Sequence, residues 1–253
     1  MVLKNKKSLG QHWLKNRAVL DEIADLALTS GVDLCLEIGP GLGTLTSSLL
    51  KRFEKVIAIE YDDDLARKLP GSFPGKNLDV VNEDILRAEI GNLAGGRPYT
   101  VAGNIPYYIT SPIIRKLLET QPTARKIVLL IQKEVAERLA AEPGDYNLLA
   151  LFTQNLAEVE LGPVVKAEEF TPPPKVDSQV VVLTPLAEPQ VDPKCLELAK
   201  RGFSSPRKKL AANLSGGQRS KADWQEILRQ NSINPDARAE DLSLWDWETL
   251  NNI

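Results

Sequence analysis

Leu34-Cys35-Leu36-Glu37-Ile38-Gly39-Pro40-Gly41-Leu42-Gly43-Thr44 is the stretch on which the fold turns. A short, mostly apolar strand, Leu34–Ile38, runs into a glycine loop and then into a helix-like segment at 45–52. Glycines at a strand-to-helix turn let a ligand approach the backbone closely, and the helix N-terminus beyond favours negative charge. The same alternation continues outward. Candidate strands lie at 56–60, 79–82, 100–102, 126–131 and 179–184, and helix-like segments at 65–69, 112–120 and 133–141. Strands alternating with helices predict an α/β fold, a Rossmann-like, mainly parallel and doubly wound sheet. The run Thr171-Pro172-Pro173-Pro174 breaks regular structure just before the last strand.

After Pro185 the texture changes. Pro189 and Pro193 bracket a linker, and four helical pieces follow at 191–202, 205–214, 221–230 and 242–251. Two domains are therefore expected: residues 1–186 with the sheet and a basic N-terminal segment, and residues 187–253 as a small C-terminal all-helical domain.

Composition narrows the class. The chain has 253 residues, 43% hydrophobic and 26% charged, which is ordinary for a folded enzyme. No run approaches the roughly 18 apolar residues that span a bilayer. Ser8-Leu9-Gly10-Gln11-His12 follows the N-terminal lysines where a signal peptide needs an apolar core, so a cytoplasmic protein is expected. Cys35 and Cys195 sit in unrelated segments and His12 is the sole histidine, so no metal site is expected. The net charge of -3 is unevenly spread: residues 1–17 carry +5 and residues 200–221 carry +7, leaving -15 for the rest. Two basic segments suit either a surface for nucleic-acid phosphates or two solvated faces.

Three further motifs bear on chemistry. Glu60 ends the second strand, Val56-Ile57-Ala58-Ile59-Glu60, where an acid can bind ribose hydroxyls. In Val81-Asn82-Glu83-Asp84-Ile85, Asp84 could accept from an adenine's exocyclic amine with Ile85 beside the ring; in isolation it reads equally as a helix cap. Dinucleotide enzymes share these features, so they leave the cofactor open. Val101-Ala102-Gly103-Asn104-Ile105-Pro106-Tyr107-Tyr108 narrows the choice. An adenine N6 amine is a poor nucleophile because its lone pair is delocalised into the ring. The Asn104 oxygen and a backbone carbonyl can accept its two N–H bonds and favour a more tetrahedral nitrogen. Pro106 removes a competing donor and stiffens the turn. Tyr107 offers a face on which an extruded base can stack.

These motifs together resemble the ribosomal RNA adenine dimethyltransferases, most closely the small-subunit branch. That branch dimethylates two adjacent adenosines near the 3′ end of 16S rRNA and contributes to ribosome biogenesis. The resemblance covers nearly the whole chain. It includes Leu9-Gly10-Gln11-His12-Trp13-Leu14, the glycine loop, the segment 130–139, the segment from Phe170 through the prolines to Ser178, and Arg207-Lys208-Lys209-Leu210-Ala211-Ala212-Asn213-Leu214. It implies that Gln11, His12, Leu14, Gly39, Gly41, Glu60, Asp84, Ile85 and Asn104 hold S-adenosylmethionine. It further implies that Asn104 holds the target amine, that Tyr107 and Phe170 form the two walls around the base, and that Arg207, Lys208 and Lys209 meet rRNA phosphates in the small ribosomal subunit. A monomer is the default. Phe170 read without the resemblance is a core aromatic. Two departures stand out: the family usually has Asn where this chain has His12, and Gly where it has Asn147.

Rival readings remain at this point. A resistance-type large-subunit methyltransferase would use the same chemistry on another adenine. A DNA adenine methyltransferase would carry a second proline where Ile105 stands. A ribosome-assembly or transcription factor could keep the fold without the activity, and an NAD dehydrogenase would leave Asn104–Tyr107 unexplained.

Overall fold

A computed structural model of the chain describes residues 11–216 and 218–253. Its elements in order are β1 (Trp13–Leu14), α1 (Arg17–Leu26), β2 (Leu34–Ile38), α2 (Thr44–Leu49), β3 (Lys55–Glu60), α3 (Asp63–Lys68), β4 (Leu78–Asn82), α4 (Ile90–Ala94), β5 (Tyr99–Asn104), α5 (Thr110–Glu119), β6 (Lys126–Gln132), α6 (Lys133–Leu139), α7 (Leu148–Leu156), β7 (Ala157–Val165), β8 (Phe170–Thr171) and β9 (Ser178–Pro185). Four helices follow: α8 (Cys195–Gly202), α9 (Leu210–Leu214), α10 (Lys221–Gln230) and α11 (Leu244–Asn251).

The chain divides into two compact units. The first runs up to Ala136 and resumes over Val159–Pro185; the second comprises Glu137–Glu158 and Leu186–Ile253. The sequence drew one boundary at 186/187, whereas here Glu137–Glu158 groups with the C-terminal helices. Packing gives the reason. Leu151 of α7 is fully buried in one apolar cluster with Cys195, Ala199, Leu210, Leu214, Trp224, Leu228 and Trp247.

The first unit holds a seven-stranded sheet in the order β4-β3-β2-β5-β6-β9-β7. Strands β4 through β6 pair in parallel, and β9 runs antiparallel to β6. β2 is buried at all five positions, as a central strand covered on both faces must be. Behind it, Leu20, Ile23 and Ala24 of α1 pack with Leu45 and Leu49 of α2 and with Val128, Leu130 and Val182 of the sheet. Helix starts follow side-chain chemistry: Asn16 caps α1 through the Ala18 and Val19 N–H groups, and Asp62 caps α3 through those of Asp64 and Leu65.

Strand order reverses between β2 and β5, and a doubly wound sheet opens a crevice at the carboxyl ends of its strands there. β7 was missed from the sequence because Gly162-Pro163 interrupts its pattern. It lies last in the sheet order, where a strand tolerates proline. The two-residue strands β1 and β8 were missed too; they pair antiparallel, Trp13 opposite Thr171 and Leu14 opposite Phe170. Among the described residues no helix is long and apolar enough to cross a membrane.

In the second unit, Asn147 sits at φ -126° and its side chain accepts from the Ala150 N–H, capping α7. A helix cap in extended backbone needs no glycine, which accounts for that departure from the family pattern.

Candidate active site

A cavity of about 360 Å³ opens in the first unit where β2, β3, β4 and β5 end. That is within the size range of small-molecule sites. Ile38 to Gly41 come from the end of β2, Glu60 and Tyr61 from β3, Glu83 to Leu86 from beyond β4, and Asn104 to Tyr108 from β5. Gln11, His12 and Trp13 complete the wall. Of the residues expected to hold a cofactor, the structure thus gathers Gln11, His12, Gly39, Gly41, Glu60, Asp84, Ile85 and Asn104 around one space. Tyr107 joins them.

Leu14 and Phe170 lie elsewhere. Leu14 is 1% exposed and Phe170 2%, both inside the apolar core behind the sheet and off the cavity wall. Their pairing across β1 and β8 explains the placement: it turns both side chains into the core beside Leu20 and Val165. Arg207 and Lys208 are exposed in the second unit, and Lys209 pairs there with Asp236 at 2.6 Å. Lys4, Lys6, Lys7 and the Leu9-Gly10 pair of the N-terminal motif lie outside the described residues.

The polar groups of the wall are already oriented. Glu60 is nearly buried, and its two carboxyl oxygens accept from the N–H groups of Gly41 at 3.0 Å and Asp62 at 2.8 Å. Burial raises its pKa, while those two N–H groups pull the other way. Asp84 accepts from the Leu86 N–H at 2.9 Å through Oδ1; this braces a turn, since the next helix starts only at Ile90, so Asp84 is not the helix cap read in isolation. Ile85 is buried beside it. Gln11 donates to Asp62 at 3.3 Å, tying the N-terminal segment to the start of α3.

The Asn104 amide donates through Nδ2 to the His12 carbonyl at 2.9 Å. His12 is held in turn by Nδ1, 2.7 Å from the Pro172 carbonyl, to which it donates. The His12 and Tyr107 rings lie nearly parallel, centroids 6.0 Å apart and planes 16° apart. The Tyr107 hydroxyl shares a 2.6 Å hydrogen bond with Ser178, which is fully buried at the start of β9. Burial raises the Tyr107 pKa, so its hydroxyl stays a neutral hydrogen-bonding group.

Sequence reasoning gave no role to four groups that the structure places here. Trp13 and Tyr108 line the cavity, Tyr108 63% exposed. Ser178 anchors Tyr107. Glu37, 0% exposed, lines the cavity, and among the described residues neither of its carboxyl oxygens is hydrogen-bonded. Its signal was present in the sequence: a lone acid inside an apolar strand. Among the described residues, no group of three or more His, Cys, Asp or Glu side chains is placed to hold a metal ion.

Comparison with known proteins agrees with this architecture. The chain is 44% identical over 259 residues to the ribosomal RNA small subunit methyltransferase A of Acaryochloris marina, covering 98% of this chain and 96% of that protein. It is 43% identical over 268 residues to the protein of the same name from Nostoc sp., covering 100% and 98%. Among solved structures, the dimethyladenosine transferase of Plasmodium falciparum matches with a TM-score of 0.78 at 29% identity, over 94% of this chain and 96% of that one. The 23S rRNA methyltransferase ErmE matches with 0.74 at 30% identity, over 95% and 98%. A family model described as ribosomal RNA adenine dimethylase matches residues 2–252, and the chain belongs to that family.

Proposed function

We propose that this enzyme transfers methyl groups from S-adenosylmethionine to the N6 amines of two adjacent adenosines near the 3′ end of 16S rRNA. It thereby contributes to ribosome biogenesis in the cytoplasm. The observation that carries this reading is the orientation of Asn104. Its Nδ2 is spent on the His12 carbonyl, and among the described residues its Oδ1 has no protein partner. An amide fixed in this way presents an acceptor to the cavity, which is what an incoming N6 amine needs.

The cavity suits the donor. Glu37, Glu60, Glu83 and Asp84 line it, and among the described residues no Lys or Arg does. A wall of acids favours a ligand with cationic groups over one bearing a pyrophosphate. S-adenosylmethionine, when bound, supplies a methyl group on a sulfonium that is already a good leaving group. Glu60 would accept from the ribose hydroxyls while its other lone pairs stay on the Gly41 and Asp62 N–H groups. Among the described residues Asp84 Oδ2 has no hydrogen-bond partner, which leaves it for the adenine amine of the cofactor, with Ile85 against the ring.

The protein's own work is then positioning and electrostatics. Asn104 Oδ1 accepts one N–H of the target amine and a carbonyl of the proline turn accepts the other, so the nitrogen lone pair is aimed at the methyl carbon. Tyr107, pinned by Ser178, gives the base a fixed stacking face. A second transfer needs the same nitrogen held again with one methyl already on it. Phe170 would have to leave the core to form a second wall, so the His12 ring beside Tyr107 is the nearer aromatic neighbour. Arg207, Lys208 and Lys209 on the helical unit meet rRNA phosphates.

The small-subunit target is supported by the 44% and 43% identities to small-subunit enzymes, against 30% to the 23S enzyme. The test is methyl transfer from labelled S-adenosylmethionine into isolated small and large subunits that lack adenine dimethylation. Label recovered as N6,N6-dimethyladenosine from the small subunit alone is expected. Label from the large subunit alone would move the target, and no label in either, with cofactor bound, would overturn the reading.

A further inference from the structure

Beyond its place in the acidic wall, Glu37 has been given no individual role, yet it is the most deeply buried acid of the cavity lining. It is 0% exposed, and among the described residues neither carboxyl oxygen has a hydrogen-bond partner. The groups around it offer no positive charge. On its own strand the nearest titratable group is Cys35, a buried thiol that burial keeps neutral. From β3 it faces Glu60, a second acid. β5, on its other side, carries no charged residue. From α2 it faces Thr46, whose N–H and hydroxyl are its nearest donors but do not reach hydrogen-bond geometry. Across the cavity stand His12, Glu83 and Asp84 and, among the described residues, no Lys or Arg.

A carboxylate so placed is unfavourable. Burial pushes the Glu37 pKa up to about 8, Glu60 adds to the effect, and Thr46 opposes it. At neutral pH the empty site therefore holds a carboxylic acid, and what is missing for its ionised form is a cation. The proposed methyl donor carries two, a sulfonium and an ammonium.

We infer that Glu37 is protonated in the empty cavity and releases its proton to solvent when the cationic end of S-adenosylmethionine enters, so that cofactor binding is coupled to proton release. The inference rests on the cofactor assigned above. The O–H bond of the Glu37 carboxyl breaks, the proton passes to the buffer, and the carboxylate left behind balances positive charge on the ligand. No electron moves. Affinity then rises with pH by about tenfold per unit on the acid side of the Glu37 titration and levels off above it, because the proton no longer has to be removed.

Titration calorimetry of the full chain with S-adenosylmethionine, in two buffers of different ionisation enthalpy, reads this directly. Net proton release on cofactor binding is expected at neutral pH, diminishing as pH rises through the Glu37 titration. In Glu37→Gln the release disappears and the pH dependence of affinity flattens. Release of the same proton count by Glu37→Gln would move the source to another group and overturn the inference. If that variant does not fold, infrared difference spectra of the unaltered protein serve instead: cofactor addition should remove a carboxylic-acid C=O band and add a carboxylate band. Cofactor binding with no proton release or no such band change overturns this inference alone. No binding of S-adenosylmethionine at all overturns the proposed function together with it.

Discussion

Glu37 and Glu60 sit on adjacent strands, are both nearly or fully buried, and have their charges handled differently. Two backbone N–H groups donate to Glu60, whereas Glu37 has only the Thr46 donors nearby and, among the described residues, no formed hydrogen bond. The difference has a consequence for stability. The folded protein holds the Glu37 proton up to about pH 8, while an unfolded chain loses it near 4.5. Stability relative to an uncharged residue is therefore complete below about pH 4.5. It declines by about 1.4 kcal/mol per pH unit as pH rises through the interval, and stops declining above about 8. Thermal unfolding of Glu37→Gln against the unaltered protein should show a melting-temperature advantage for the variant that grows from pH 5 to pH 8. A constant difference across that range would mean that Glu37 is ionised throughout. At this scale the sequence was informative about Glu60, Asp84 and Asn104, because their places after strand ends are enough to put them at the crevice. Phe170 is the core aromatic that its residue type alone suggests and not the cavity wall that the resemblance implies, and the sequence was uninformative about Ser178. Whether an aromatic faces the core or a ligand, and which hydroxyl anchors Tyr107, depends on the pairing of β1 with β8 and on the start of β9, which local pattern does not encode.

The glycine loop sets the geometry of the site at the scale of elements. Gly43, at φ +80°, precedes α2, and a Cβ there would come within 2.8 Å of both Leu69 and Phe73. Gly75 shares the positive φ of +72° but has open space around it. Gly43→Ala should thus combine backbone strain with overpacking and cost about 2–4 kcal/mol, against about 1 kcal/mol for Gly75→Ala. Equal losses in a chemical-denaturation comparison would show that the packing against Leu69 and Phe73 has no weight. Both the loop and the parallel strands were legible, since apolar runs between helical stretches are the signature of this sheet. β2 matches its expected span of Leu34–Ile38 residue for residue. α1, α7 and β7 were not. The first two do start at Asn caps, Asn16 and Asn147, but a lone Asn reads equally as a turn residue, and β7 carries a proline that argues against a strand until its edge position is known.

Charge is the property that belongs to the whole molecule. A net charge of -3 coexists with a +7 stretch over residues 200–221. Arg207 and Lys208 are exposed there, and the exposed Lys209–Asp236 pair is weak enough to yield to a phosphate. Replacing Arg207 and Lys208 by Ala together should weaken rRNA binding and lower the slope of log affinity against log salt by about two, leaving cofactor affinity unchanged. An unaltered slope would place the RNA surface elsewhere. The boundary between the units was read from the sequence as a single linker, because composition shifts there. That Glu137–Glu158 belongs with the C-terminal helices follows only from where Leu151 is buried. The central claim is that Asn104 holds the amine to be methylated, and the most direct measurement is single-turnover methyl transfer by Asn104→Ala with its cofactor dissociation constant determined in parallel. Loss of position without loss of binding predicts a fall in transfer rate of about 100-fold or more, with cofactor affinity within a few-fold of the unaltered protein. A transfer rate within twofold of the unaltered protein would contradict the account.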